Sequence, residues 1–74
     1  MEEQIKAIMA DVLDLETAAI DDATAMDSVD TWDSYNHLTI CLALEQEFSV
    51  TLEVEEMEEM ISYYDMLRIL QEKI

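Results

Sequence analysis

Apolar residues first recur along the chain at Ile5, Ile8, Met9, Val12 and Leu13. Their i, i+3, i+4, i+7 spacing puts them on one face of a helix, so a helix is predicted from residue 2 to about residue 15. From 16 to 33 the periodicity is lost and Asp, Thr, Ser and Ala dominate, as turns require. Ile20, Met26, Val29 and Trp32 are spaced irregularly there, in the manner of anchors that pin a loop to a core, and a short helical turn fits inside the segment. A structureless connection longer than roughly 15 residues is uncommon in a small domain and is usually functional.

Regular spacing returns after Trp32. Asp33 is the predicted N-cap of a second helix that runs to Phe48, because its carboxylate can accept the unpaired amides of a first turn. At about 3.6 residues per turn, this helix carries two apolar stripes. Ile40, Cys41, Leu44 and Phe48 form one; Tyr35, Leu38 and Leu42 form another, nearly opposite. One stripe is enough for a core, and the second is left for another use. The β-branched stretch 49–53 breaks the pattern. Val54, Met57 and either Met60 or Ile61 mark a short acidic helix over roughly 54–60, and Ser62 with Asp65 resembles a capping box for a last helix. Tyr63, Met66, Leu67, Leu70 and Ile74 are its predicted inner face.

Composition narrows the class. Seventy-four residues make one domain over 1–74, too small for a deep water-excluded active site. Gly and Pro are both absent, which removes the usual turn residues of an all-β fold. Half the residues are hydrophobic, so the chain can build a core despite its charge. That charge is −16, from 19 acidic against 3 basic residues. Such a surface repels nucleic acid and anionic membranes and attracts basic patches on other proteins. Mutual repulsion also weakens the compact state at low ionic strength. The start Met1-Glu2-Glu3-Gln4 does not read as a signal peptide, no apolar run reaches a membrane span, and a cytoplasmic location is expected.

Few residues qualify for chemistry. A lone cysteine, Cys41, allows no internal disulfide and no metal pattern, and it sits on the core stripe as a small hydrophobe. His37 lies three residues after Ser34, but a Ser–His hydrolytic pair needs an orienting acid and an oxyanion hole. With no glycine in the chain, His37 reads as a half-buried polar residue. The acids between Asp21 and Asp33 lack the glycine and terminal glutamate of a calcium loop. Ser34 stands at a helix start, where free amides and a partial positive charge favour a phosphate ester. Local spacing alone reads it as a capping serine.

The run Asp33-Ser34-Tyr35-Asn36-His37-Leu38, followed by Leu42-Ala43-Leu44-Glu45-Gln46-Glu47-Phe48, resembles the second helix of acyl carrier proteins. Helix, long loop, serine helix, short acidic helix and final helix extend the resemblance over nearly the whole chain. It implies an all-α bundle of three to four helices with a long first loop, acyl-carrier-like. It implies that Ser34 is the attachment site of 4'-phosphopantetheine, transferred from coenzyme A by a phosphopantetheinyl transferase that also contacts Asp33. It implies a carrier that is not an enzyme, a cosubstrate holding acyl groups as thioesters for fatty acid or polyketide biosynthesis. Tyr35 departs from the leucine usual after the serine, and Asn36, Thr39 and Gln46 stand where fatty-acid carriers usually have acids. Glu45 and Glu47 are retained, and acidity is dense at Glu53, Glu55, Glu56, Glu58 and Glu59. Asp27-Ser28-Val29 also reads Asp-Ser-apolar, but its spacing to Phe48 does not fit and Val29, Thr31 and Trp32 are mediocre helix formers.

The expected protein is a free-standing monomer without catalytic or metal-ligating residues and without nucleic-acid or membrane partners. Its partners would be the transferase, an acyl- or aminoacyl-loading ligase and acyl-transferring enzymes with basic docking patches, met through Tyr35, Leu38, Leu42 and Glu45. Two alternatives share these residues: an aminoacyl or peptidyl carrier loaded by an adenylating ligase, and an acidic interaction module without a prosthetic group.

Overall fold

The computed structural model describes all 74 residues as four helices without a sheet: α1 (Glu2–Leu13), α2 (Ser34–Phe48), α3 (Val54–Glu59) and α4 (Tyr63–Lys73). The predicted all-α bundle is the fold found. Ile5, Met9 and Leu13 of α1, Ile40, Cys41 and Leu44 of α2, and Tyr63, Met66, Ile69 and Leu70 of α4 close one core. α1 lies mainly on α2 and less extensively on α4. The helical periods of α1 and α2 therefore mapped onto burial as the pattern required.

The ends of the elements differ from expectation for physical reasons. α1 stops at Leu13, because Asp14 turns left-handed at φ 58° and its amide returns to the Ala10 carbonyl. α2 ends in the same way at Ser49, φ 54°, with its amide on the Glu45 carbonyl. A chain without glycine must make these turns with residues that carry a Cβ, at some conformational cost. Of the pair Met60 or Ile61, Met60 is buried and Ile61 faces solvent. On α4, Ile69 takes the inner place, while Ile74 at the chain end is exposed. Leu52, in the stretch read only as a break, is buried and holds the α2–α3 connection against the core.

The long first connection is structured. Two short 3₁₀ turns, Thr17–Ala19 and Met26–Ser28, divide it. Ile20 and Trp32 are buried, and Met26 and Val29 pack partly against the core, so the anchors act as read. Polar ties complete the attachment. Thr31 Oγ1 donates to the Leu13 carbonyl at 2.7 Å. The Met26 amide donates to Ile61 O at 2.8 Å and the Tyr63 amide to Thr24 O at 3.0 Å, around an isolated antiparallel bridge between Ala25 and Ser62. The loop thus delivers the chain to Asp33 at a fixed place.

Candidate functional site at the head of the second helix

Asp33 is in the extended region and its Oδ1 accepts the Asn36 amide at 2.8 Å. This cap fixes where α2 begins, and Asn36 Nδ2 adds a 2.7 Å bond back to the Thr31 carbonyl. Ser34 is consequently the first helical residue, exposed, with its hydroxyl making no internal hydrogen bond. Its amide and that of Tyr35 have no acceptor within the chain, so the positive end of the helix dipole is open beside the hydroxyl. Ser28 stands in a different setting. Its hydroxyl accepts from the Ala25 amide at 3.3 Å and donates to the Ala25 carbonyl at 3.0 Å, which occupies it in closing a turn.

The two faces of α2 separate as the pattern required. Ile40, Cys41 and Leu44 are fully buried, with Phe48 partly so. Tyr35, Leu38 and Leu42 are 79%, 51% and 49% exposed, a strip that starts next to Ser34. Glu45 has an employment that the pattern did not reveal: its Oε2 accepts the Leu52 amide at 2.8 Å, so the side chain leans toward the 49–53 stretch. Between α2 and α3 lies a groove of about 220 Å³, walled by Ser34, His37, Leu38, Cys41, Val54 and Met57.

His37 crosses this groove. The Trp32 indole Nε1–H donates to Nδ1 at 3.1 Å, and Nε2 faces the Met57 carbonyl at 2.7 Å. It is half-buried, as expected, but with both ring nitrogens committed. Cys41 Sγ lies 3.8 Å from Nε2. Burial, with a smaller contribution from the Glu45 carboxylate, pushes the Cys41 thiol up to about 11, so it is protonated and inert at neutral pH. His37 shares no hydrogen bond with Ser34, and no third group completes a nucleophilic set around them.

All three cations are engaged internally. Arg68 pairs with Asp65 at 3.5 Å, Lys73 with Glu56 at 3.0 Å, and the Lys6 ammonium sits 5.3 Å from the Tyr63 ring centre. With a net charge of −16 and two ion pairs, most carboxylates have no cationic partner. No cluster of His, Cys, Asp and Glu has the arrangement of a metal site. No helix is long and apolar enough to cross a membrane.

A capped helix start with a free, exposed serine hydroxyl suits a phosphodiester on a mobile arm. The chain belongs to the phosphopantetheine attachment-site family, whose model matches residues 3–70. It is thus a phosphopantetheine carrier domain of acyl-carrier type, and the cofactor of this family is covalent 4'-phosphopantetheine. Among curated proteins, none matches the chain. Domains of this family are carriers as a rule.

Proposed function

We propose that residues 1–74 act as one acyl carrier domain with the arm on Ser34. The observation that carries this reading is the free hydroxyl of Ser34 at the first position of a helix whose preceding cap is already supplied by Asp33. In the loading step Ser34 Oγ gives up its proton, forms an ester bond to the phosphorus of coenzyme A's phosphopantetheine, and 3',5'-ADP departs. The open amides at the head of α2 would favour the negative charge of a phosphodiester held on Ser34. When bound, the arm supplies a terminal thiol that holds acyl groups as thioesters. Everything else asked of this chain is presentation: a fixed attachment point, a recognisable surface, and no group that would cleave the cargo.

Recognition falls to the strip Tyr35, Leu38 and Leu42, with Glu45 at its border and Asp33 at its head. The charge of −16 brings in transferases, loading ligases and acyl-transferring enzymes that present basic patches, and the apolar strip then fixes the register. The protein would work as a cytoplasmic monomer that serves as cosubstrate of biosynthetic enzymes.

A thiol count tests loading. Cys41 is buried and held protonated, so the native apo chain should give almost no reaction with an aromatic disulfide reagent. After incubation with coenzyme A and a broad-specificity transferase, then removal of free coenzyme A, one fast-reacting thiol per chain should be present. No fast thiol after incubation with several such transferases contradicts the proposal.

A further inference from the structure

An arm on Ser34 would stand at the wall of one groove, and whatever closes that groove decides how much of a cargo the fold can take in. The groove lies between α2 and α3, with Ser34, Leu38, Val54 and Met57 on its walls and Cys41 behind them. Cys41 is fully buried beside Ile40 and Leu44, so the core begins there. An alkyl tail in water gains by entering an apolar interior, and an open way past Cys41 would draw long tails in. That way is barred. The Trp32 indole N–H donates to His37 Nδ1 at 3.1 Å, and Nε2 carries the proton that the Met57 carbonyl accepts at 2.7 Å. The bar runs from the end of the long loop through α2 to α3 and holds the ring at both nitrogens. On the loop side it is braced by an indole that is itself part of the core. The core has no room behind the bar. Of the residues that line the three hollows of the structure, Cys41 alone belongs to the buried apolar cluster.

We propose that His37 determines the cargo specificity of this domain: by closing the way from Ser34 to the core it keeps the acyl group on the solvent side of α2 and α3, and so fits the chain to short or polar acyl groups and not to long alkyl chains. The inference rests on Ser34 as the site of the arm and adds to it the class of cargo. A tail pushed past the ring would break the bond to Met57 or the bond to Trp32. It would leave a carbonyl or an indole N–H unpaired among apolar groups, a cost that an alkyl chain cannot offset with hydrogen bonds of its own. The groove in front of the bar holds about 220 Å³ and opens to solvent, with the polar side chains of Ser34 and Glu58 on its walls. A long chain that reaches it therefore keeps most of its methylenes in water, where each is unfavourable. A short or polar group has few such methylenes to shelter.

The test loads the full chain from acetyl- or decanoyl-coenzyme A with a broad-specificity transferase and confirms the product by intact mass. Hydroxylamine then cleaves the thioester, and NMR follows a ¹³C label on the terminal methyl of the decanoyl chain. In the wild type, acetyl and decanoyl thioesters should be cleaved at rates within about twofold of each other, because neither is withdrawn from solvent. The labelled methyl should show no nuclear Overhauser contact with Ile40, Leu44 or Met66. His37→Ala removes the ring, and its decanoyl thioester should be cleaved at least about tenfold more slowly than its acetyl one. If that variant folds poorly, the wild-type contacts of the labelled methyl decide alone. No gain of mass overturns the assignment of the arm to Ser34 and this inference with it. A gain of mass followed by slowed decanoyl cleavage in the wild type, or by contacts of its methyl with those core residues, overturns this inference alone. Equal cleavage of the two thioesters in a folded His37→Ala overturns the role given to His37.

Discussion

Leu42 and Leu44 stand two positions apart on α2 and face opposite ways: Leu42 is half exposed and Leu44 fully buried. A single residue type thus stands exposed on one face, where we propose docking, and serves cohesion on the other. Leu44→Ala should destabilise the domain by roughly 2–5 kcal/mol, as buried large-to-small changes do. Leu42→Ala should change stability by less than about 1 kcal/mol while impairing loading or transfer. One thermal melt and one loading assay per variant check the pair, and the reverse outcome would mean that the strip is core. Both faces were legible in the sequence, because helical period alone assigns residues to faces. The destinations of single polar groups were not. Glu45 reads as one acid among many, and only the fold brings the Leu52 amide to its Oε2. His37 was placed as half-buried, but its two partners lie on different elements, Trp32 five residues before it and Met57 twenty after. Nothing in local spacing specifies that meeting.

Among the elements, α1, α2 and α4 were legible because each carries an unbroken apolar stripe and, for α2 and α4, a side-chain cap. Asp33 accepts the Asn36 amide as expected, and Ser62 accepts the Asp65 amide while its hydroxyl donates to the Asp65 carboxylate. The long connection was readable as pinned and as able to hold a short helical turn, but the number and places of its two 3₁₀ turns were not readable, since such turns rest on local hydrogen bonds such as those of Ser28 and not on periodicity. α3 is held by a different means. Glu56 Oε1 accepts the Glu53 amide at 2.8 Å and also pairs with Lys73. These contacts, the backbone bond first and the Lys73 bond next, hold the Glu56 carboxyl below its ordinary value of 4.5. A carboxylate whose folded value is depressed contributes stability that is complete above its unfolded value and is lost as pH falls through the folded one. Helix α3 should therefore keep this support at neutral pH and lose it progressively below about pH 4.5. Backbone amide exchange at Met57 and Glu59 should reveal the loss, and Glu56→Gln should show weakened α3 protection already at neutral pH. Identical protection in wild type and Glu56→Gln at neutral pH would contradict this.

For the whole molecule, charge and attachment decide behaviour together. A net −16 on a body of 26 × 22 × 19 Å repels itself, and its three cations are already used internally. Raising the salt from dilute buffer to physiological strength should increase the melting temperature by screening this repulsion; an unchanged value would show that the acids are already compensated. The same field accords with the proposal that the domain meets several basic partners in turn, with one short apolar strip to set the register. The proposed function turns on a single hydroxyl, that of Ser34. The most direct measurement is the intact mass of wild type, Ser34→Ala and Ser28→Ala after incubation with coenzyme A and a broad-specificity phosphopantetheinyl transferase. Wild type and Ser28→Ala should each gain the mass of one phosphopantetheine group, and Ser34→Ala should gain nothing. Labelling that survives Ser34→Ala, or that disappears with Ser28→Ala, would contradict the assignment of Ser34 as the carrier serine.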